Sequence, residues 1–223
     1  VATGAGCGVR VAAGAVGDGV GVRGGSGVKD GAGAGVAVRA EVGVAKSAAS
    51  RAGALADVGV AFGDGLMIAP MAPLIGEGVF GGIVAADGVE TPYRVLNNRV
   101  MEANLLVDPG QLPPALGRPD PPVAVLAGPL SASAAEAVVL SFVGNPRARS
   151  FGAATLGVPT ANTAFELWDG AFLNLATYQG LDRLGRQWDG PIPVEEEVAT
   201  RWEVFGTPAD PAVARALTWL AGR

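Results

Sequence analysis

The chain has 223 residues, a formal charge of −5 and a sequence pI near 4.8, which excludes the basic surface that nucleic acid or an anionic membrane requires. A single cysteine, Cys7, and no histidine exclude an intrachain disulfide and a cysteine-based zinc site, and remove the usual general base. The length suits one sizeable domain or a domain with an appendage.

Composition changes near residue 60. In residues 1–60, 44 positions are Gly, Ala or Val, and no proline or aromatic residue occurs there. Sixteen glycines in that stretch carry a large ordering entropy, which the small Ala and Val side chains do little to offset. The segment reads as low-complexity and poorly specified, partly β where Val alternates, as in Val36-Ala-Val38. A structural role of the elastin or silk kind and an out-of-frame reading of a GC-rich gene are both compatible with this composition. The first 30 residues lack the compact leucine-rich core of a secretory signal. The best apolar candidate for a span, residues 66–75, carries Pro70 and Pro73 and falls short of the roughly 20 residues a bilayer needs. The compartment stays open.

Residues 61–223 read as a globular α/β domain. Val79 to Ala85, the Asp87-Gly88 turn and a strand to Arg94 predict a hairpin. Five prolines within residues 108–121 predict an extended loop. Val123-Ala-Val-Leu126 reads as a short strand buried on both faces. The helix beginning near Ala134 and running through Val143 is apolar nearly all round, and therefore buried. Phe165 to Trp168, Asp169-Gly170 and Ala171 to Tyr178 predict a second hairpin. Asp210-Pro211 opens a last helix with an N-cap and a proline at its first position, with Val213, Leu217 and Leu220 as its apolar stripe. Trp168, Trp188 and Trp202 are expected in the core more than in a substrate groove, and Glu195-Glu-Glu197 is expected as a solvated loop.

Gly128-Pro-Leu-Ser-Ala-Ser-Ala-Ala-Glu136 places a serine between a strand and a helix mouth. Unpaired N–H groups and the helix dipole there favour a developing negative charge. Ser133 and Glu136 also form the S-x-x-E pattern of a capping box. A cap and a nucleophile need the same position, so both readings stay open.

Residues 72–223 resemble the C-terminal-processing (tail-specific) serine peptidase family, in particular its interphotoreceptor-retinoid-binding-protein-like branch. The motifs that carry this are Ala72-Pro-Leu-Ile-Gly-Glu-Gly78, Pro121-Pro-Val-Ala-Val-Leu-Ala-Gly-Pro129, Ser131-Ala-Ser-Ala-Ala-Glu136, Thr155-Leu-Gly-Val-Pro-Thr-Ala-Asn162 and Asp189-Gly-Pro-Ile-Pro193, in order. The resemblance implies a crotonase-like core of ββα repeats, a peptide or protein substrate, no cofactor or metal, and Ser133 as nucleophile.

The family's lysine base falls on Val158, and residues 61–223 contain neither lysine nor histidine. A serine hydroxyl needs an adjacent base, and Glu136 or Glu195 is a weak substitute at carboxylate pKa values. The family's glycine-rich strand end maps to residues 57–65, where Gly63 and Gly65 are the oxyanion-amide candidates. No peptide-binding PDZ domain is recognisable. Three readings follow: a serine peptidase impaired by the missing base, a non-catalytic peptide- or ligand-binding module on the same fold, and an acyl-CoA enzyme of crotonase type.

Overall fold

The computed structural model describes residues 9–13, 36–40, 68–107, 120–199, 202–204, 207 and 209–223. Two sheets and two long helices form alternating layers. The first sheet has the order β1 (Val9–Ala13), β2 (Val36–Ala40), β7 (Val123–Ala127), β8 (Ala148–Gly152), β12 (Glu196–Glu197). Within it β2, β7, β8 and β12 run parallel, and β1 pairs antiparallel with β2.

The second sheet is antiparallel. Its order is β11 (Gln187–Trp188), β10 (Phe172–Leu181), β3 (Gly78–Ala85), β4 (Glu90–Leu96), β5 (Arg99–Glu102), β6 (Leu105–Val107), and β9 (Thr160–Glu166) pairs with β10. The β3–β4 hairpin turns at Asp87-Gly88 as the sequence predicts, with Gly88 N–H donating to Ala85 O at 2.9 Å. The second hairpin also turns at Asp169-Gly170, but its strands extend further than Phe165 to Tyr178.

Helix α1 (Ala72–Ile75) is one turn that closes the core under the second sheet. Helix α2 (Ala134–Phe142) lies between the sheets. Its Val138, Val139, Leu140 and Phe142 pack with Val123 and Val125 of β7 and with Phe80, Tyr93 and Val95 of β3 and β4. The other face of β7 presents Ala124 and Leu126 to Ala212, Ala216 and Leu220 of α3 (Pro211–Ala221). All five residues of β7 are buried, the two-faced burial expected of Val123-Ala-Val-Leu126.

Two expectations are corrected here. The buried stripe of α3 is Ala212, Ala216 and Leu220, with Val213 and Trp219 at its margin, and Leu217 is only half-buried. Two alanines at i and i+4 bring the helix close to the sheet, where a Leu217-centred stripe would hold it off. The acidic run is an edge strand more than a loop: Glu196 pairs with Arg149 at 3.2 Å and also with Arg215. Asp210 caps α3 as predicted, its Oδ1 accepting from Ala212 N–H at 3.0 Å. The loop expected at residues 108–121 lies mostly outside the described residues, as do Cys7, Gly63 and Gly65.

Candidate active site

Ser133 stands at the C-terminal end of β7, where a parallel strand hands over to a helix and ligands of open α/β sheets collect. Its side chain is exposed. Its backbone has φ 52° and ψ −118°, a conformation that costs an L-residue roughly 1–3 kcal/mol and is kept only where the surroundings enforce it. Ser131, the other candidate hydroxyl, is 3 % exposed and serves the turn. Its Oγ accepts from Gly128 N–H at 3.3 Å, its N–H donates to Gly128 O at 2.8 Å, and its carbonyl accepts from Leu156 N–H at 2.8 Å.

Glu136 enforces the turn. Its residue is fully buried, and its carboxylate accepts four hydrogen bonds. Oε2 takes the Ser133 N–H at 2.8 Å and the Val158 N–H at 2.9 Å. Oε1 takes the Thr155 hydroxyl at 2.6 Å and the Gly157 N–H at 2.8 Å. A buried charge is tolerated only when paired or hydrogen-bonded in this way. The S-x-x-E spacing therefore organises more than a cap, because three of the four donors to Glu136 come from the loop at 155–158.

That loop is fixed from behind. Thr155 Oγ1 accepts from Ile192 N–H at 2.8 Å, and Thr155 N–H donates to Ile192 O at 3.1 Å. Ile192, the fourth residue of the Asp189-Gly-Pro-Ile-Pro193 motif, is fully buried. Gly157 has φ 99°, and a Cβ there would stand 2.7 Å from Pro191, so the loop accepts only glycine at this point. The sequence did not indicate Thr155 as part of the site; a threonine one turn from a motif glycine carries no local signal for a partner 19 residues away.

Val158 is held beside Ser133 through the shared oxygen, and its side chain is 43 % exposed. Neither carboxylate weighed as a substitute base is free to act on Ser133. Glu136 is committed to its four donors, and Glu195 accepts from Ser150 N–H at 2.7 Å on β8. Among the described residues no acceptor faces the N–H of Ala134, the first residue of α2. An unpaired helix-mouth N–H next to a serine is what an oxyanion needs. Among the described residues no cluster of three metal-ligating side chains occurs, and no helix is long and apolar enough to cross a membrane.

Trp168 contradicts its core expectation: it is 98 % exposed, at the turn of the β9–β10 hairpin. The cause is topological. Among the described residues, 172–176 of β10 pair only with β9, beyond the reach of β3, and no described layer packs on that end of the hairpin. Trp188 is half-buried under the Arg186 guanidinium, 4.5 Å from its ring, and the Trp202 side chain lies outside the described residues.

The fold is mixed α/β, with an exposed serine on a strained strand-to-helix turn. The sequence profile of peptidase family S41 matches residues 70–198, more than half of the chain, and the chain belongs to that family. Among solved structures, a lipoprotein from Streptococcus agalactiae is similar with a TM-score of 0.56 at 21 % identity, covering 84 % of this chain and 66 % of its own. The photosystem II D1 C-terminal processing protease aligns with a TM-score of 0.47 at 18 % identity, covering 74 % of this chain and 42 % of its own. The chain thus spans less than two thirds of either structure. No curated protein matches it.

Proposed function

We propose that the chain is a serine-type peptidase domain that binds an extended peptide at Ser133, with its hydrolytic step impaired because no base stands free beside Ser133 among the described residues. The observation that carries this is Ser133 itself: exposed, held at φ 52° by the buried Glu136, and next to the Ala134 N–H, which has no partner among the described residues. In hydrolysis the Ser133 oxygen would attack the scissile carbonyl carbon, its proton would pass to a base, and the carbonyl oxygen would take up negative charge at the Ala134 N–H. The family's lysine position holds Val158, which accepts no proton. Gly63 and Gly65 are the proposed second oxyanion amides.

The crotonase-like ββα core and the retinoid-binding-protein-like branch belong to the same proposal and rest on the order of the motifs. The apolar Val158 favours a second reading, in which the same surface binds peptides without cleaving them. An acyl-CoA enzyme of crotonase type ranks last, because residues 61–223 offer no lysine for the CoA phosphates.

The test is intact-mass analysis before and after a fluorophosphonate probe, with Ser133→Ala alongside. A single adduct lost in the variant supports a reactive nucleophile. An unlabelled chain that still binds peptide supports the second reading.

A further inference from the structure

The β9–β10 hairpin runs outward from the site. β9 begins at Thr160, two residues beyond Val158, whose N–H shares the Glu136 carboxylate with Ser133. Its register sets Leu173 opposite Phe165 and Leu175 opposite Thr163, so these four side chains lie on one face. That face continues the one on which Ala161 is buried in the core. Past the core it is uncovered: Phe165, Leu173 and Leu175 are each 45 % exposed. Leu167 and Trp168 are exposed at the turn, and Phe172 is exposed on the opposite face.

Among the described residues β9 pairs with β10 alone, and its outer edge offers backbone N–H and C=O groups to another strand. The charges are of one sign. Residues 160–181, the two strands and their turn, contain Glu166 and Asp169, both exposed, and no lysine or arginine.

We infer that β9 and the apolar face of its hairpin form a docking strip for an extended polypeptide segment, neutral or basic, with apolar residues at alternate positions. Strand addition to the β9 edge supplies backbone hydrogen bonds, and alternate side chains pack beside Thr163 and Phe165. A chain seated there runs toward Ser133, because the inner end of β9 is the loop that Glu136 ties to Ser133. The direction of delivery rests on the peptide-acting reading of Ser133; the strip itself does not.

The experiment is fluorescence anisotropy with a labelled peptide of alternating valine and threonine carrying lysines at both ends. It is titrated with the full chain and with Ser133→Ala. The expected result is equal binding by both, weakened roughly tenfold or more by Phe165→Ser with Leu175→Ser. The same peptide with Pro-Pro pairs replacing every other dipeptide lacks N–H donors on both edges of the strand and should not bind the unaltered chain. Replacing the terminal lysines with glutamates should weaken binding.

Equal binding of the proline peptide, or no binding of the parent peptide, overturns the strip without reference to any variant. So does a concentration-dependent dimer, dissolved by Phe165→Ser with Leu175→Ser and indifferent to peptide, since the hairpin then pairs with a second copy. Absence of fluorophosphonate labelling with peptide binding intact removes the catalytic reading and leaves the strip standing. Labelling with no peptide binding does the reverse.

Discussion

The backbone N–H groups of Ser133 and Val158 meet on one oxygen of the Glu136 carboxylate, at 2.8 and 2.9 Å. A helix mouth and a distant loop are thereby joined through a single buried atom, while the other oxygen holds Thr155 and Gly157. Glu136→Gln keeps the size but turns an NH2 group toward two N–H or O–H donors. Each buried donor left unpaired costs about 1–3 kcal/mol, so the variant should lose about 2–4 kcal/mol of stability. Urea denaturation at constant m-value measures this, and a loss under 1 kcal/mol would show that the four bonds are not jointly formed.

The strained turn gives a prediction of opposite sign. Glycine adopts φ 52°, ψ −118° without a Cβ penalty, whereas alanine keeps the strain. Ser133→Gly should therefore be more stable than Ser133→Ala by about 1 kcal/mol, after allowing for the greater freedom of glycine in the unfolded chain. Thermal unfolding of the two variants side by side decides it; an alanine variant as stable as the glycine one would mean that the turn relaxes once the hydroxyl is gone.

Much of this arrangement was legible because its signals are local. Val123-Ala-Val-Leu126 announced a strand buried on both faces, Asp87-Gly88 and Asp169-Gly170 announced turns, and Asp210-Pro211 announced a helix start. Ser133 was legible as a position through S-x-x-E and its flanking motif. What failed depends on who packs against whom. Trp168 carries the same residue-type preference as a core tryptophan, and only the short reach of β3 along β10 leaves it in solvent. The stripe of α3 was displaced because alanine carries little hydrophobic weight, although Ala212 and Ala216 make the closest approach. The partners of Glu136 from the 155–158 loop are long-range, and no spacing rule within the helix points to them.

Val158 supplies a gain-of-function prediction. Its backbone is anchored beside Ser133 and its side chain is half in solvent, so a longer polar side chain fits without core disruption. Val158→Lys restores an amine at the position where the family resemblance puts the base. A positioned base accelerates proton transfer by about 10²–10⁴, and fluorophosphonate labelling of Ser133 should rise by about a hundredfold. Only the neutral amine accepts a proton, so the rate should climb with pH toward the lysine pKa of about 10. An unchanged rate in a folded Val158→Lys chain would show that the side chain at 158 does not reach the hydroxyl.

Asp182 gives a pH-dependent prediction away from the site. Burial alone would push its carboxyl up, but hydrogen bonds from the N–H of Arg186, the indole of Trp188, the Arg186 guanidinium and the N–H of Leu184 outweigh it and hold the pKa below the ordinary carboxylate value. The contacts are 3.0 Å from Arg186 N–H, Arg186 Nε and Trp188 Nε1, and 2.9 Å from Leu184 N–H. A carboxyl whose folded pKa is depressed contributes its stability in full above the unfolded value of about 4, and loses it as pH falls toward the folded one. The unaltered chain should therefore lose stability on acidification below about pH 4, and Asp182→Asn should lose less over that interval because it has no proton to take up. The variant should also be less stable at neutral pH, since an amide accepts fewer of these bonds and the Arg186 charge loses its partner. Urea midpoints from pH 2 to pH 7 for both chains test the two parts together: the curves should converge as the pH falls, and parallel curves would show that Asp182 titrates alike in the folded and unfolded chains.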